Sequence, residues 1–158
     1  MRLTEILEPE CIKVPLAATT KKAAIFELVD VLCAQAGISG SDELKDAVWK
    51  REQMRTTGIG CGIAIPHGKS PSCGALCMAI GKPANPIDFD AIDGRPVDLI
   101  ILLASPSDQT GPHIQALATI SRMLTDEEFR ADLKGADTAE DLHRLLVEQE
   151  TKVGVSSA

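Results

Sequence analysis

VDLIILLA, residues 97 to 104, constrains the fold more than any other stretch of this chain. Apart from Asp98 it is an unbroken apolar run rich in Leu and Ile, long enough for a strand and far short of the ~20 residues that span a bilayer. A strand that is apolar on both sides must be covered on both sides, so the run predicts a central strand in a layered structure. Helical patterns surround it. TKKAAIFELVDVLCAQAG has Thr20 as a candidate N-cap, apolar Ile25, Leu28, Val29, Leu32 and Ala36 at helical spacing, and Gly37 as a stop. SDELKDAVWKREQM predicts a second helix from Ser41 or Asp42, ending before residues 56 to 58. Further on, PHIQALATISRML predicts a third helix with Pro112 in its first turn. Capping boxes from Thr125 to Glu128 and from Thr138 to Asp141 each open a shorter one. Short apolar runs at 63–65 and 75–80 read as further strands. Helices and strands alternate without an internal repeat, so the class is α/β: one domain over residues 1–150, followed by a flexible tail at 151–158.

Composition removes several functions. The formal net charge of −7 disfavours nucleic acid, whose phosphates are held by clustered Lys and Arg. The chain has no Tyr, three Phe and one Trp, so an aromatic platform for stacked bases is missing as well. Five cysteines, at 11, 33, 61, 73 and 77, and an N-terminus without an apolar leader suggest reduced thiols in a cytoplasmic protein with no membrane insertion.

GIGCGIAIPHGKS, residues 58–70, looks at first like a phosphate cradle. A Walker A loop is GxxxxGK[ST]; here Gly62 to Ser70 has one residue too many, and the dinucleotide pattern GxGxxG fails after Gly62. The chemistry instead centres on His67, directly after an apolar run, with Pro66 stiffening the backbone before it and Gly68 allowing a sharp turn after it. A neutral imidazole is a nucleophile, and an unperturbed pKa near 6.5 leaves much of it neutral at physiological pH. A structural histidine bonded to a nearby carbonyl is the alternative. His113 falls in the first turn of a predicted helix, where backbone N–H groups and the helix dipole favour an anion; a plain surface histidine is the alternative there. Arg51 lies on the stripe of Leu44, Ala47 and Val48 and so either faces a buried anion or snorkels from the helix end. Cys61, His67, Cys73 and Cys77 are a possible zinc quartet, although buried or bystander thiols explain them as well.

KREQMRTTGIGCGIAIPHGKS and PIDFDAIDGRPVDLIILLASPSDQTGPHIQAL, with the order of helices and strands, resemble the enzyme IIA proteins of the fructose/mannitol class of the phosphoenolpyruvate phosphotransferase system. Within that class the resemblance is greatest to the nitrogen-regulatory (PtsN-type) branch, and it covers about residues 3 to 148. It implies a mixed β-sheet flanked by helices on both faces. It also implies a cofactor-free and metal-free phosphocarrier in which His67 is phosphorylated on Nε2 by HPr or a nitrogen-branch HPr homologue. His113 would be the second active-site histidine, Arg51 the cation beside the phosphoryl group, and loop amides near Thr57 and Gly58 would face its oxygens. The partners implied are regulatory proteins of nitrogen, potassium or stress responses, or, in the sugar-specific alternative, a IIB cysteine. Cys61 departs from the Asn or Asp more usual at its position.

Overall fold

The all-apolar run does form the centre of the sheet. In a computed structural model, which describes residues 2–157 and of 153–157 only the backbone, it becomes β6 (Leu99–Ser105), with every residue buried. The other strands are β1 (Ile12–Leu16), β2 (Gly58–Gly60), β3 (Ile63–Ala64), β4 (His67–Lys69) and β5 (Cys77–Pro83). The sheet order is β1-β5-β6-β3-β2, with β4 also paired to β6. It is mixed: β5 runs antiparallel to β6, while β3 and β4 run parallel to it, and β1 runs parallel to β5. β3 and β4 are two lengths of one path along β6, interrupted at Pro66, whose carbonyl still accepts from Leu103 N–H.

Five helices complete the fold: α1 (Lys21–Ala36), α2 (Ser41–Met54), α3 (Thr110–Met123), α4 (Glu127–Gly135) and α5 (Ala139–Ser157). Their ends follow local chemistry. Thr20 caps α1 by accepting from Ala23 N–H, and Gly37, at φ 70°, closes it with its N–H on Cys33 O. Asp141 N–H bonds Thr138 Oγ1, as the capping box predicts. At α4 the cap is displaced by one residue: Asp126 accepts from Phe129 N–H, while Thr125 turns its hydroxyl back onto Arg122 O. Over residues 151–157, where a flexible tail is expected, the backbone is helical and continues α5 to Ser157.

Leu99 and Ile101 of β6, with Met78 and Ile80 of β5, pack against Ile120, Phe129 and Leu142 of α3, α4 and α5. α1 and α2 cover the opposite side through β5 and β4, and one continuous apolar core joins both layers. Gly68 makes the α2–β4 approach possible, because a Cβ there would lie only 2.9 Å from Val48 Cγ2. The helix therefore sits directly over the strand that begins with His67.

Candidate functional site

His67 opens β4 and is half-buried, paired in register with Leu103 of β6. Its Nδ1 lies 2.9 Å from Ile65 O. A carbonyl can only accept, so Nδ1 carries the proton and the ring lone pair is on Nε2. Burial is the main reason His67 titrates below the ordinary histidine value; the Ile65 contact opposes that shift, the Arg51 and Lys69 cations add to it, and Glu52 acts against it. The neutral, nucleophilic form is thereby favoured at neutral pH.

His113, in the first turn of α3, packs its ring 5.5 Å from that of His67, centroid to centroid, at 58°. It is only 3% exposed, and its Nδ1 is 2.7 Å from Ser105 Oγ at the end of β6. Burial, then the neighbouring His67 and Lys69, push its pKa down to about 4, so it is neutral as well. If Ser105 donates to Nδ1, the remaining nitrogen, Nε2, carries the N–H and is a donor for an anion.

Arg51 does not take the innermost position that its stripe suggested. That place belongs to Glu52, one turn beyond Val48 and two beyond Leu44, while Arg51 is half-buried and donates to Arg55 O at 2.9 Å. Its charge still acts on His67. Lys69 is a second cation at the site, one that the sequence analysis did not single out. Strand alternation puts residues 67 and 69 on one face, and Lys69 Nζ donates to Thr110 Oγ1 at 3.0 Å at the start of the helix that carries His113.

The amides expected to face a phosphoryl group are occupied otherwise. Thr57 N–H donates to Glu52 Oε2 at 2.7 Å, and Gly58 N–H to Thr56 Oγ1 at 3.1 Å. Both residues are buried, so in this conformation they shape the loop beside the histidines and their N–H groups are already satisfied. Nor does the zinc quartet assemble: among the described residues no three His, Cys, Asp or Glu side chains are grouped to hold a metal ion. Among them, too, no helix is long and apolar enough to cross a membrane.

The fold and site together define a protein with a tautomer-fixed histidine facing a second, buried histidine, with two cations acting on the pair. The family model described as "Phosphoenolpyruvate-dependent sugar phosphotransferase system, EIIA 2" matches residues 5–149, and the chain belongs to that family. It is 36% identical over 151 residues to the nitrogen regulatory protein of Klebsiella oxytoca, covering 94% of this chain and 91% of that one. It is 33% identical to the fructose-specific EIIABC component of Bacillus subtilis, covering 87% of this chain but only 22% of that protein. The crystal structure of nitrogen regulatory protein IIA-Ntr from Neisseria meningitidis superposes with a TM-score of 0.82 at 30% identity, covering 90% of this chain and 97% of the other. The chain is thus a component of the phosphotransferase system with a IIA fold, similar over nearly its whole length to nitrogen regulatory proteins.

Proposed function

We propose that the protein is a cytoplasmic phosphohistidine carrier. It accepts a phosphoryl group from an HPr-type donor onto Nε2 of His67, and its phosphorylation state then decides which regulatory partner it engages. The observation that carries this reading is the fixed tautomer of His67: with Nδ1–H held by Ile65 O, the lone pair of Nε2 is the nucleophile. In the transfer, that lone pair forms the new N–P bond as the donor's P–N bond breaks and its electron pair returns to the donor imidazole. Nδ1 keeps its proton throughout. Transfer of this kind depends on positioning and on neutralising the phosphoryl oxygens. Arg51, Lys69 and the N–H of His113 supply the charge and hydrogen bonding, and the Thr57–Gly58 loop holds its shape beside them.

A protein donor needs a docking surface, and the exposed large apolar residues support one. Met54, Ile59, Ile92 and Ile114 are the described ones, and each lies on an element that carries or flanks a site residue. Met54 is one turn beyond Arg51; Ile59 follows Gly58; Ile92 N–H bonds Gly58 O; Ile114 follows His113. Apolar side chains gathered at a polar site suit a transient protein contact.

Incubation with phosphoenolpyruvate, enzyme I and HPr tests the assignment: one acid-labile phosphoryl group per chain is expected, and none in His67→Ala. Undiminished labelling of His67→Ala would refute it. The likeness to the fructose-specific relative supports a second reading, in which the phosphoryl group passes to a IIB cysteine. Transfer from the labelled protein to a purified fructose IIB domain would favour that reading, and its failure would favour the regulatory one.

A further inference from the structure

Helix α2 ends in a buried acid that the transfer chemistry above does not use. Glu52 is 3% exposed, and a carboxylate so placed is costly unless it is paired and fully hydrogen-bonded. It is. Lys21 Nζ, from the start of α1, lies 3.1 Å from Oε2; Thr57 N–H donates to the same oxygen at 2.7 Å, and Thr57 Oγ1 donates to Oε1. Lys21 is held in turn by Phe89 O at 3.1 Å, which also accepts from Thr56 Oγ1 at 2.6 Å. The turn at 56–57 is therefore clamped from both sides.

The clamp continues to the nucleophile. Thr57 O accepts from Ile65 N–H at 3.0 Å, and Ile65 O accepts from His67 Nδ1–H at 2.9 Å. An unbroken series of contacts runs from Lys21 to Glu52, Thr57, Ile65 and the ring of His67, and every residue in it after Lys21 up to Ile65 is buried. We propose that Glu52, anchored by Lys21, is a positioning residue for His67: by fixing Thr57 it fixes the Ile65 carbonyl that holds the imidazole in its Nδ1–H tautomer and sets the direction of Nε2. Such indirect supports matter because a reacting atom displaced by about an ångström can lose about a hundredfold in rate. Glu52 itself makes no contact with the transferred group.

The consequence for transfer rests on the carrier reading, whereas the consequence for the ring does not, so the two are read separately. The tautomer of neutral His67 is measured by long-range 1H–15N imidazole correlation in the full chain, and the initial phosphorylation rate in the enzyme I/HPr assay. The wild type is expected to be predominantly Nδ1–H. Glu52→Gln keeps the size of the side chain but removes the nearer of the two carboxylates that face Lys21, leaving it only the exposed Asp90 at 3.8 Å. It should move the ring toward a mixture of tautomers and slow transfer about tenfold at unchanged half-saturation by the donor. Thr57→Val, which removes only the hydroxyl contact, should do the same to a smaller extent and serves if Glu52→Gln does not fold. A wild-type tautomer ratio in the folded variants overturns the proposal, whether or not transfer slows; so does a shifted ratio with an unchanged rate. If the wild type takes no phosphoryl group, the carrier reading fails, and the tautomer ratio alone still decides the role of Glu52.

Discussion

The burial of His113 makes a quantitative prediction about acid stability. In the folded chain its pKa is pushed down from 6.5 to about 4, chiefly by burial, so it stays neutral well below the pH at which the unfolded chain takes up a proton. Between about pH 6.5 and 4 the unfolded state holds more protons at this site. Stability is therefore undiminished above pH 6.5 and falls as the pH drops toward 4. At 1.36 kcal/mol per unit the full depression corresponds to about 3 kcal/mol, most of it expressed by pH 4.5. That is a large fraction of the 5–15 kcal/mol typical of whole domains. His113→Gln removes the titration and leaves a polar group for Ser105. Urea unfolding of both proteins at pH 7.5 and 4.5 isolates the effect, because His67, also depressed, is present in each and cancels. The wild type should lose about 2 to 3 kcal/mol more than His113→Gln over that interval. Equal losses, within about 0.5 kcal/mol, would show that His113 is not held neutral by its surroundings, and the assignment of its Nδ1 as acceptor from Ser105 would fall with it.

Two further substitutions test how the site is held. Gly68→Ala would place a Cβ 2.9 Å from Val48 Cγ2 and 3.0 Å from Val48 N; backbone cannot swing aside, so α2 must retreat from β4, costing about 1 to 3 kcal/mol in urea unfolding and slowing phosphorylation of His67. Arg51→Lys keeps the charge but loses the planar fork and the bond to Arg55 O, and should slow labelling about tenfold; Arg51→Gln should slow it about a hundredfold, each with little change in thermal midpoint.

The fold was legible where a local pattern had only one physical outcome. An apolar run without alternation had to be covered on both faces, and β6 is; Thr20 and Gly37 end α1 because one offers an acceptor and the other tolerates positive φ. Strands β1, β2 and β4 gave no such signal. They are three to five residues long, and β2 and β4 consist of Gly, Ile, His and Lys, so their pairing is imposed by β5, β3 and β6, not by propensity. β5 begins at Cys77, two residues after the expected run, because its ladder with β6 starts opposite Ala104. Past Thr138 the apolar spacing of Leu142 and Leu146 carries one long helix where a short one and a tail were expected.

The same division runs through the site. His67, His113 and Arg51 stood out because each sits at a place where its chemistry is locally conspicuous: beside Pro and Gly, in a first helical turn, on an apolar stripe. Lys69 could have been found from strand alternation once His67 was placed on a strand, since residues two apart share a face. Ser105, closing an apolar run eight residues before His113, carried only a faint signal. Glu52 carried a misleading one. The 44–48–52 spacing marks it as buried, yet a charged residue at the end of such a stripe is ordinarily assigned to solvent, and the stripe through Leu44, Ala47 and Val48 gave the inward place to Arg51. What reverses the order is Lys21, 31 positions earlier in the chain, together with Thr57, which supply a cation and two donors to a carboxylate and none that a guanidinium could use. Burial of a charge is decided by the partners that meet it there. In this chain those partners come from α1 and from the turn after α2, so the choice between neighbouring Arg51 and Glu52 was settled by tertiary structure. That choice leaves the cation half-exposed beside His67 and turns the acid inward onto the turn that leads to its ring.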